Sequence, residues 1–473
     1  MTDVTENKIR DDIRPHRPLA ELLILALPTV AQMASYSVLQ FVDTLMLSRV
    51  GVHEPTAAGN SGMFSFSAIS FGVGVLFVVN TLVSQSFGRR DYAECGRYLW
   101  QGMWFSVVYG LLVLPTMLAA GPMFVAMGHE PALVELEVSY FQITLLAAAV
   151  KLAATALGQF LLAINRPGKV LMAALVAVIV NIFGNWVLIF GNLGFPAMGL
   201  VGAAWATNIA VLVEMALLLG FALMAPLRVR YNTLDWRLRR PEMRTLLTVG
   251  IPSGAQIVAD VLAWSLFGMW VLAVFGTTAM AANNFMFRYM IVSFMPAFGI
   301  ATAVTALVGR YIGMGRPDIA IKRAQLGFVV TAVYMLCCAV FFFVGRNFLI
   351  NVFTDDPEVI ALGATFLIFA AIYQFFDAMY IVYNGALRGA GDTFVPAVAT
   401  AVLVWGITVF GGYAVARLAP QLGPAGPWTI ATVYGIILGL FMLIRFRRGG
   451  WRRIYLQQPD ASNVPAPSAT VTA

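Results

Sequence analysis

The feature that most constrains this sequence is a series of twelve apolar stretches, each long enough to cross a bilayer, separated by short polar gaps. They lie near 19–49, 55–86, 97–121, 132–164, 169–191, 199–225, 243–274, 278–309, 324–345, 358–387, 394–416 and 425–444. A membrane-spanning helix needs about 20 mainly apolar residues. Inside hydrocarbon every backbone N–H and C=O must be satisfied within the segment, which favours helices over open sheets. With 60% of its 473 residues hydrophobic and only 11% charged, the chain has too little polar surface to coat a soluble core. The composition therefore argues against a water-soluble enzyme, and an all-α membrane protein of twelve transmembrane helices is expected.

The net charge of +7 is a topology signal. When the gaps are numbered alternately, 25 of the 30 cations fall on one side, from Lys8 and Arg10 through the Arg237, Arg239, Arg240 group to Arg452 and Arg453. Only Arg49, Arg346 and Arg417 fall on the other, while Lys151 and Arg288 lie within spans. Positive loops stay in the cytoplasm, so both termini are expected there. The polar start lacks the apolar core of a signal peptide. The cations are scattered over many loops rather than gathered on one face, which argues against nucleic acid as a partner. Three cysteines cannot build a disulfide framework; Cys95 is placed in a loop, and Cys337 and Cys338 read as core residues.

The chain also repeats itself. Ala26-Leu27-Pro28-Thr29-Val30-Ala31-Gln32 resembles Gly250-Ile251-Pro252-Ser253-Gly254-Ala255-Gln256, and Asn60 and Thr81 meet Asn284 and Thr305 at the same offset. Six spans per half is an even number, so both halves enter the membrane in the same direction. They form two six-helix bundles related by a pseudo-two-fold axis along the membrane normal, with a site expected between them near the midplane. The expected divisions are a cytoplasmic segment 1–18, bundles 19–225 and 243–446, a basic linker loop 226–242 and a disordered cytoplasmic tail 447–473.

Four acids, Asp43, Glu214, Asp260 and Asp377, fall inside spans. A charge at mid-bilayer costs about 2.5–3.5 kcal/mol even on the mildest scale, so such a group faces protein or a wet cavity and is by default a functional candidate. Helical spacing groups them with neighbours three and four residues away. Tyr36, Gln40 and Asp43 form one stripe, Gln256, Asp260 and Trp264 a second, and Tyr373, Asp377 and Tyr380 a third. A carboxylate flanked by aromatic faces suits an organic cation; it can also take up a proton, or ligate Na⁺ through oxygen, for which Asp260 and Asp377 are the metal candidates. The bland alternative for the aromatics is helix packing. Asn181 and Asn185, one turn apart, either bond a neighbouring helix or help a carboxylate hold a cation. Glu214 reads as structural, as a partner of Lys151, with Asn208 off its face, and Arg288 as a neutraliser of some nearby acid. Pro28, Pro252 and Pro296, with Gly72, Gly74 and Gly299, interrupt apolar helices as hinges or static kinks.

Enzymatic signals are absent. There is no Gly-x-x-x-x-Gly-Lys-Ser/Thr phosphate loop and no Gly-x-Ser-x-Gly, and His16, His53 and His129 lie in loops without metal-ligand spacing. No cofactor is expected.

Several motifs give the chain a family resemblance. They are Leu27-Pro28 followed by Phe41-Val42-Asp43-Thr44-Leu45-Met46, Gly250-Ile251-Pro252, Gly199-Leu200-Val201-Gly202-Ala203-Ala204-Trp205-Ala206-Thr207, and Phe376-Asp377-Ala378 with Leu387-Arg388-Gly389-Ala390-Gly391-Asp392-Thr393. From Leu19 to Phe446 the chain resembles the multidrug and toxic compound extrusion (MATE) family, nearer its NorM-type branch. That resemblance implies a bacterial inner-membrane antiporter, monomeric and embedded in lipid, that exports small organic cations in exchange for Na⁺ or H⁺ by alternating access. It implies a coupling role for Asp43 with Asn181 and Asn185, cation-site positions at Asp377 and Tyr373, and a helix bend at Pro28. Asp260 stands where the NorM-type pattern has Glu, keeping the charge but shortening the reach by one methylene. The rival expectations are a flippase for a lipid-linked or amphipathic substrate, which calls for basic cavity residues, and an ion channel.

Overall fold

The computed structural model describes residues 17–51 and 53–454. The expectations for His16, for the segment before Arg17 and for the tail from Tyr455 onward lie outside the described residues. Among the described residues eleven helices are long and apolar enough to cross a membrane, and a bent pair supplies a twelfth span. In chain order they are α1 (Pro18–Leu47), α2 (Glu54–Arg89), α3 (Tyr92–Ala126), the bent pair α4 (Pro131–Leu146) and α5 (Ala148–Ala163), α6 (Pro167–Phe190) and α7 (Gly199–Leu223). A short α8 (Ala225–Tyr231) leads to α9 (Arg240–Phe275), α10 (Thr277–Gly313), α11 (Pro317–Asn351), α12 (Pro357–Gly389), α13 (Phe394–Leu418) and α14 (Ala425–Arg448).

Local chemistry sets the ends of these helices. Proline opens α1, α4, α6, α11 and α12, where a missing N–H costs nothing. Asp91 and Asp356 cap α3 and α12 by accepting hydrogen bonds from the backbone N–H of Glu94 and Glu358. Gly191 and Gly449 close α6 and α14 in the left-handed conformation that favours glycine.

Several expectations need correction. The fourth span is not one rod but bends by 48° at Ala147. The linker expected as a loop over 226–242 contains most of α8, and α9 begins inside it. Of the tail, residues 447–454 are ordered: α14 runs to Arg448, and a 3₁₀ turn follows with Trp451 buried against Phe446. Cys95 lies in α3, fully buried, rather than in a loop. Cys337 is exposed rather than in the core, while its neighbour Cys338 is half-buried and packs against the hydrophobic cluster of the second bundle. His53 immediately precedes α2, and His129 lies in the α3–α4 connection, hydrogen-bonded to Glu137 at 2.7 Å.

The prolines 28, 252 and 296 all sit within continuous helices. The glycines do not break helices; they let them approach. Gly72 packs on the Tyr109 ring and Gly299 on the backbone of Val30. Gly74 meets Gly254, and a Cβ on Gly254 would stand 2.6 Å from the carbonyl oxygen of Phe71. This close approach by small residues holds α2 to α9, and so one bundle to the other.

Contacts between the bundles gather at the end of the molecule that carries most of the cations. There the Thr29 hydroxyl donates to the Gly299 carbonyl at 2.9 Å, Thr81 to Arg388 at 2.9 Å and the Gln85 amide to Gly389 at 3.0 Å. Glu21 of α1 accepts from Arg323 Nε at 2.7 Å and from the Tyr311 hydroxyl at 2.8 Å, with Arg310 Nη1 at 4.0 Å. Among the described residues no hydrogen bond joins the bundles at the opposite end. Along α10 the residues two and three turns before Gly299, Val292 and Arg288, are exposed, as is Gln40 on α1. The halves are closed at the cation-rich end and part toward the other.

Candidate functional site

The polar groups singled out by the sequence form two clusters in the first bundle and one in the second. In the first bundle Asp43 of α1 accepts a very short hydrogen bond from the Asn185 amide of α6. That same amide nitrogen donates to Asn181 Oδ1 at 3.0 Å, and Asn181 donates to the Thr207 hydroxyl of α7 at 3.3 Å. Tyr140 of α4 bonds Thr207 and lies within electrostatic reach of Asp43. Both asparagines are fully buried, and Asn185 Oδ1 has no donor. The one-turn spacing of Asn181 and Asn185 serves to line both amides along one face of α6.

Deeper along α1, toward the closed end, the Tyr36 hydroxyl donates to Glu214 Oε1 at 2.6 Å and receives the Gln32 amide at 3.2 Å. Lys151, one turn beyond the bend between α4 and α5, is near enough for its charge to act on Glu214, but it makes no ion pair within 4.0 Å among the described residues. Glu214 is thus hydrogen-bonded by the Tyr36 hydroxyl, with the Lys151 charge nearby but not in a close ion pair. Asn208 points elsewhere, donating to the Ile143 carbonyl at 2.5 Å.

In the second bundle the stripes on α9 and α12 meet. The Tyr380 hydroxyl donates to Asp260 Oδ2 at 2.9 Å, and the Gln256 amide donates to Tyr380 at 3.2 Å and to Thr400 of α13 at 3.0 Å. Trp264 stands edge-on to Tyr373 with ring centroids 6.1 Å apart. Asp377, one turn from both tyrosines, is buried within electrostatic reach of Asp260. It has no hydrogen-bond partner among the described residues, and Asp260 Oδ1 is buried without a donor.

Two sequence candidates are not drawn into these clusters. Gln40 is exposed, with its side chain joined to neither Tyr36 nor Asp43. Arg288 is exposed and forms no ion pair among the described residues, so it does not neutralise an acid. Three participants escaped sequence reading. Tyr140, Thr207 and Thr400 are neutral, and a hydroxyl in a span carries no signal until its neighbour is known. Glu137, near the start of its span, is fully buried, accepting from Asn60 at 2.7 Å and facing His129 at 2.7 Å. No group of three or more His, Cys, Asp or Glu among the described residues is arranged to hold a metal ion. Any Na⁺ would therefore need amide, hydroxyl and carbonyl oxygens alongside one or two carboxylates.

Paired six-span bundles with carboxylates held inside each, and a gap that closes at one end, define the chain as a helical membrane transporter. The MatE family profile matches residues 28–187 and 257–414, one stretch in each half, and the chain belongs to this MATE family, on its NorM-type side. It is 29% identical over 411 residues to a probable multidrug resistance protein NorM of Mesorhizobium japonicum, covering 85% of this chain and 86% of that one. A probable NorM of Shewanella oneidensis is 27% identical, over 94% of this chain and 97% of its own. The fold matches an outward-facing multidrug resistance MATE transporter with a TM-score of 0.84 at 18% identity, covering 92% of this chain and 97% of that one. It matches a eukaryotic MATE transporter with a TM-score of 0.83 at 17% identity, over 92% and 97%.

Proposed function

We propose that this protein is a bacterial inner-membrane antiporter that exports small organic cations in exchange for Na⁺ or H⁺, acting as a monomer with both termini in the cytoplasm. The observation that carries the reading is the state of the buried acids. Asp43, Asp260 and Asp377 have no cationic side chain within ion-pair distance among the described residues, and acceptor oxygens beside them lack donors. A desolvated carboxylate without a counter-ion attracts a proton, a metal cation or an ammonium. The aromatic walls around Asp377, from Tyr373, Tyr380 and Trp264, favour the organic cation. The Asp43 cluster, all oxygen and amide, favours the small coupling ion.

The opposition of inward ion and outward solute follows from shared charge: one positive passenger on a carboxylate repels the next. An ion moving inward releases about 2.3 kcal/mol per charge per 100 mV, besides any concentration gradient. With the cation-rich end in the cytoplasm, the gap described above opens outward, the state in which solute leaves and ion enters. Pro28 and Pro252, each within a helix that packs against the opposite bundle, are the hinge candidates. The name of the Shewanella relative, a multidrug resistance protein, agrees with this assignment.

The test is ethidium efflux from proteoliposomes under imposed Na⁺ or pH gradients. Asp43→Asn or Asp377→Asn should abolish gradient-driven efflux while leaving the protein folded; unchanged efflux from the double variant overturns the coupling role. A flippase would instead move a lipid reporter, and a channel would pass ions without saturable exchange. Neither rival is favoured by the uncompensated acids Asp43, Asp260 and Asp377.

A further inference from the structure

A site of different character lies on the outside of the molecule, where the linker enters α9. A groove of about 360 Å³ is lined by Leu238, Arg240, Met243, Arg244, Leu247 and Ile251, together with Thr248. Its wall is almost wholly apolar, and its two charged members share one helix face, four residues apart. Both arginines are exposed, and neither has an ion pair or hydrogen bond among the described residues. The nearby acids are already engaged: Asp235 accepts from Arg239 at 2.7 Å, and Glu242 pairs with Arg97 at 3.4 Å. The Arg239 bond holds the Asp235 carboxyl below the usual aspartate range, so that acid stays committed. The groove therefore presents two uncompensated positive charges over an apolar trough.

The segment leading into it has the chemistry of a membrane surface. Leu234, Trp236 and Leu238 alternate along the linker and are each more than half exposed. Trp236 stacks obliquely on Trp104, with centroids 6.3 Å apart, and the indole N–H of Trp104 holds the Trp236 carbonyl at 2.8 Å. Trp100 holds the Thr233 carbonyl in the same way at 2.8 Å. Tryptophans with one polar and one apolar edge sit at the headgroup level of a bilayer, and exposed leucines beside them can bury at the headgroup–acyl boundary. The apolar trough running from Leu238 to Ile251 then points from headgroup depth toward the hydrocarbon.

We propose that this groove seats one anionic phospholipid, its phosphate between Arg240 and Arg244 and part of an acyl chain along Met243, Leu247 and Ile251. A zwitterionic lipid offers the same chain but brings its own cation to the arginines. Charge complementarity thus selects a headgroup with net negative charge. The site stands apart from the acid clusters and does not depend on the transport reading. It lies against the chain's only covalent joint between bundles, on the helix that meets α2 at Gly74 and Gly254.

The test is native mass spectrometry of the full-length protein, released from detergent containing equal amounts of phosphatidylglycerol and phosphatidylcholine. Wild type should retain phosphatidylglycerol in preference, each arginine contributing about fivefold. R240Q/R244Q should bring the two lipids to parity, whereas R447Q/R448Q, which removes the same charge elsewhere at the same end, should not. Leu247→Trp, which fills the trough and leaves both arginines, should also lose retention. Inorganic phosphate added alone should fail to displace the lipid. Equal retention of both lipids by wild type, a preference that survives R240Q/R244Q, an equal loss in R447Q/R448Q, or displacement by phosphate would each overturn the proposal. Should R240Q/R244Q not fold, the Leu247→Trp comparison decides it.

Discussion

Removing the carboxylate of Glu21 should open the closed end of the transporter. Glu21 belongs to the first bundle, and its partners Tyr311, Arg310 and Arg323 all belong to the second. Any motion that separates the bundles at the cation-rich end must break these bonds. Glu21 is 12% exposed and Arg323 7% exposed, so the pair is well shielded in the closed arrangement but would be hydrated once parted. A hydrogen bond to a charged group is worth about 1.5–3 kcal/mol net. Glu21→Gln keeps the size and one acceptor for Tyr311 but removes the charge, so the balance between closed and open forms should shift by about 10- to 150-fold. The assay is pulsed electron resonance between spin labels at Val229 and Arg316, one in each half near this end, with the three native cysteines replaced. The variant should gain a longer-distance population that wild type lacks, and an added loss of Arg323 should change little more, because the two share one interaction. If Glu21→Gln and Glu21→Ala both keep the wild-type distance distribution, the ion pair does not hold the bundles together and the reasoning fails.

Two further outcomes follow from the packing. Gly254→Ala should destabilise the contact between α2 and α9 by about 1–3 kcal/mol, since the new methyl would stand 2.6 Å from the backbone carbonyl oxygen of Phe71, which cannot swing aside as a side chain can; a midpoint of thermal unfolding equal to wild type would show that the helices can shift apart freely. Glu137→Ala should cost about 1–3 kcal/mol by leaving the Asn60 amide and His129 without their acceptor, with Glu137→Gln milder. Thermal unfolding in detergent measures it, and equal melting of all three proteins would count against a structural role.

The parts of the fold that were legible in advance rest on one-dimensional signals. Span number follows from runs of apolar residues, and the sorting of cations made the count self-checking. The duplication was visible in Pro28 and Pro252. The stripes Gln256–Asp260–Trp264 and Tyr373–Asp377–Tyr380 were also readable, because charge in an apolar run is conspicuous and helical spacing fixes which residues share a face. Which stripe faces which was not. The bond from Tyr380 to Asp260 joins residues 120 positions apart, and Gln40, on the right face by spacing, lies beyond the reach of its cluster. Spacing also placed Arg288 among possible counter-ions, whereas the parting of the bundles leaves it exposed. The bend at Ala147 has no proline or glycine beside it, so the sequence carries no mark of it.

The linker is held along its length by the first bundle, through Trp100, Trp104 and the Gln101 side chain, which both donates to the Arg237 carbonyl and accepts from the Arg239 N–H. Up to Arg239 it is therefore bound to α3, and the Arg97–Glu242 pair at 3.4 Å carries that tie into the first turn of α9, so the joint between the halves is short. If the halves move as proposed, a joint that short at the floor of the molecule turns small angular changes into wide excursions at the far rim. It also leaves too little rope for one half to wander off and pair with the half of a neighbouring copy.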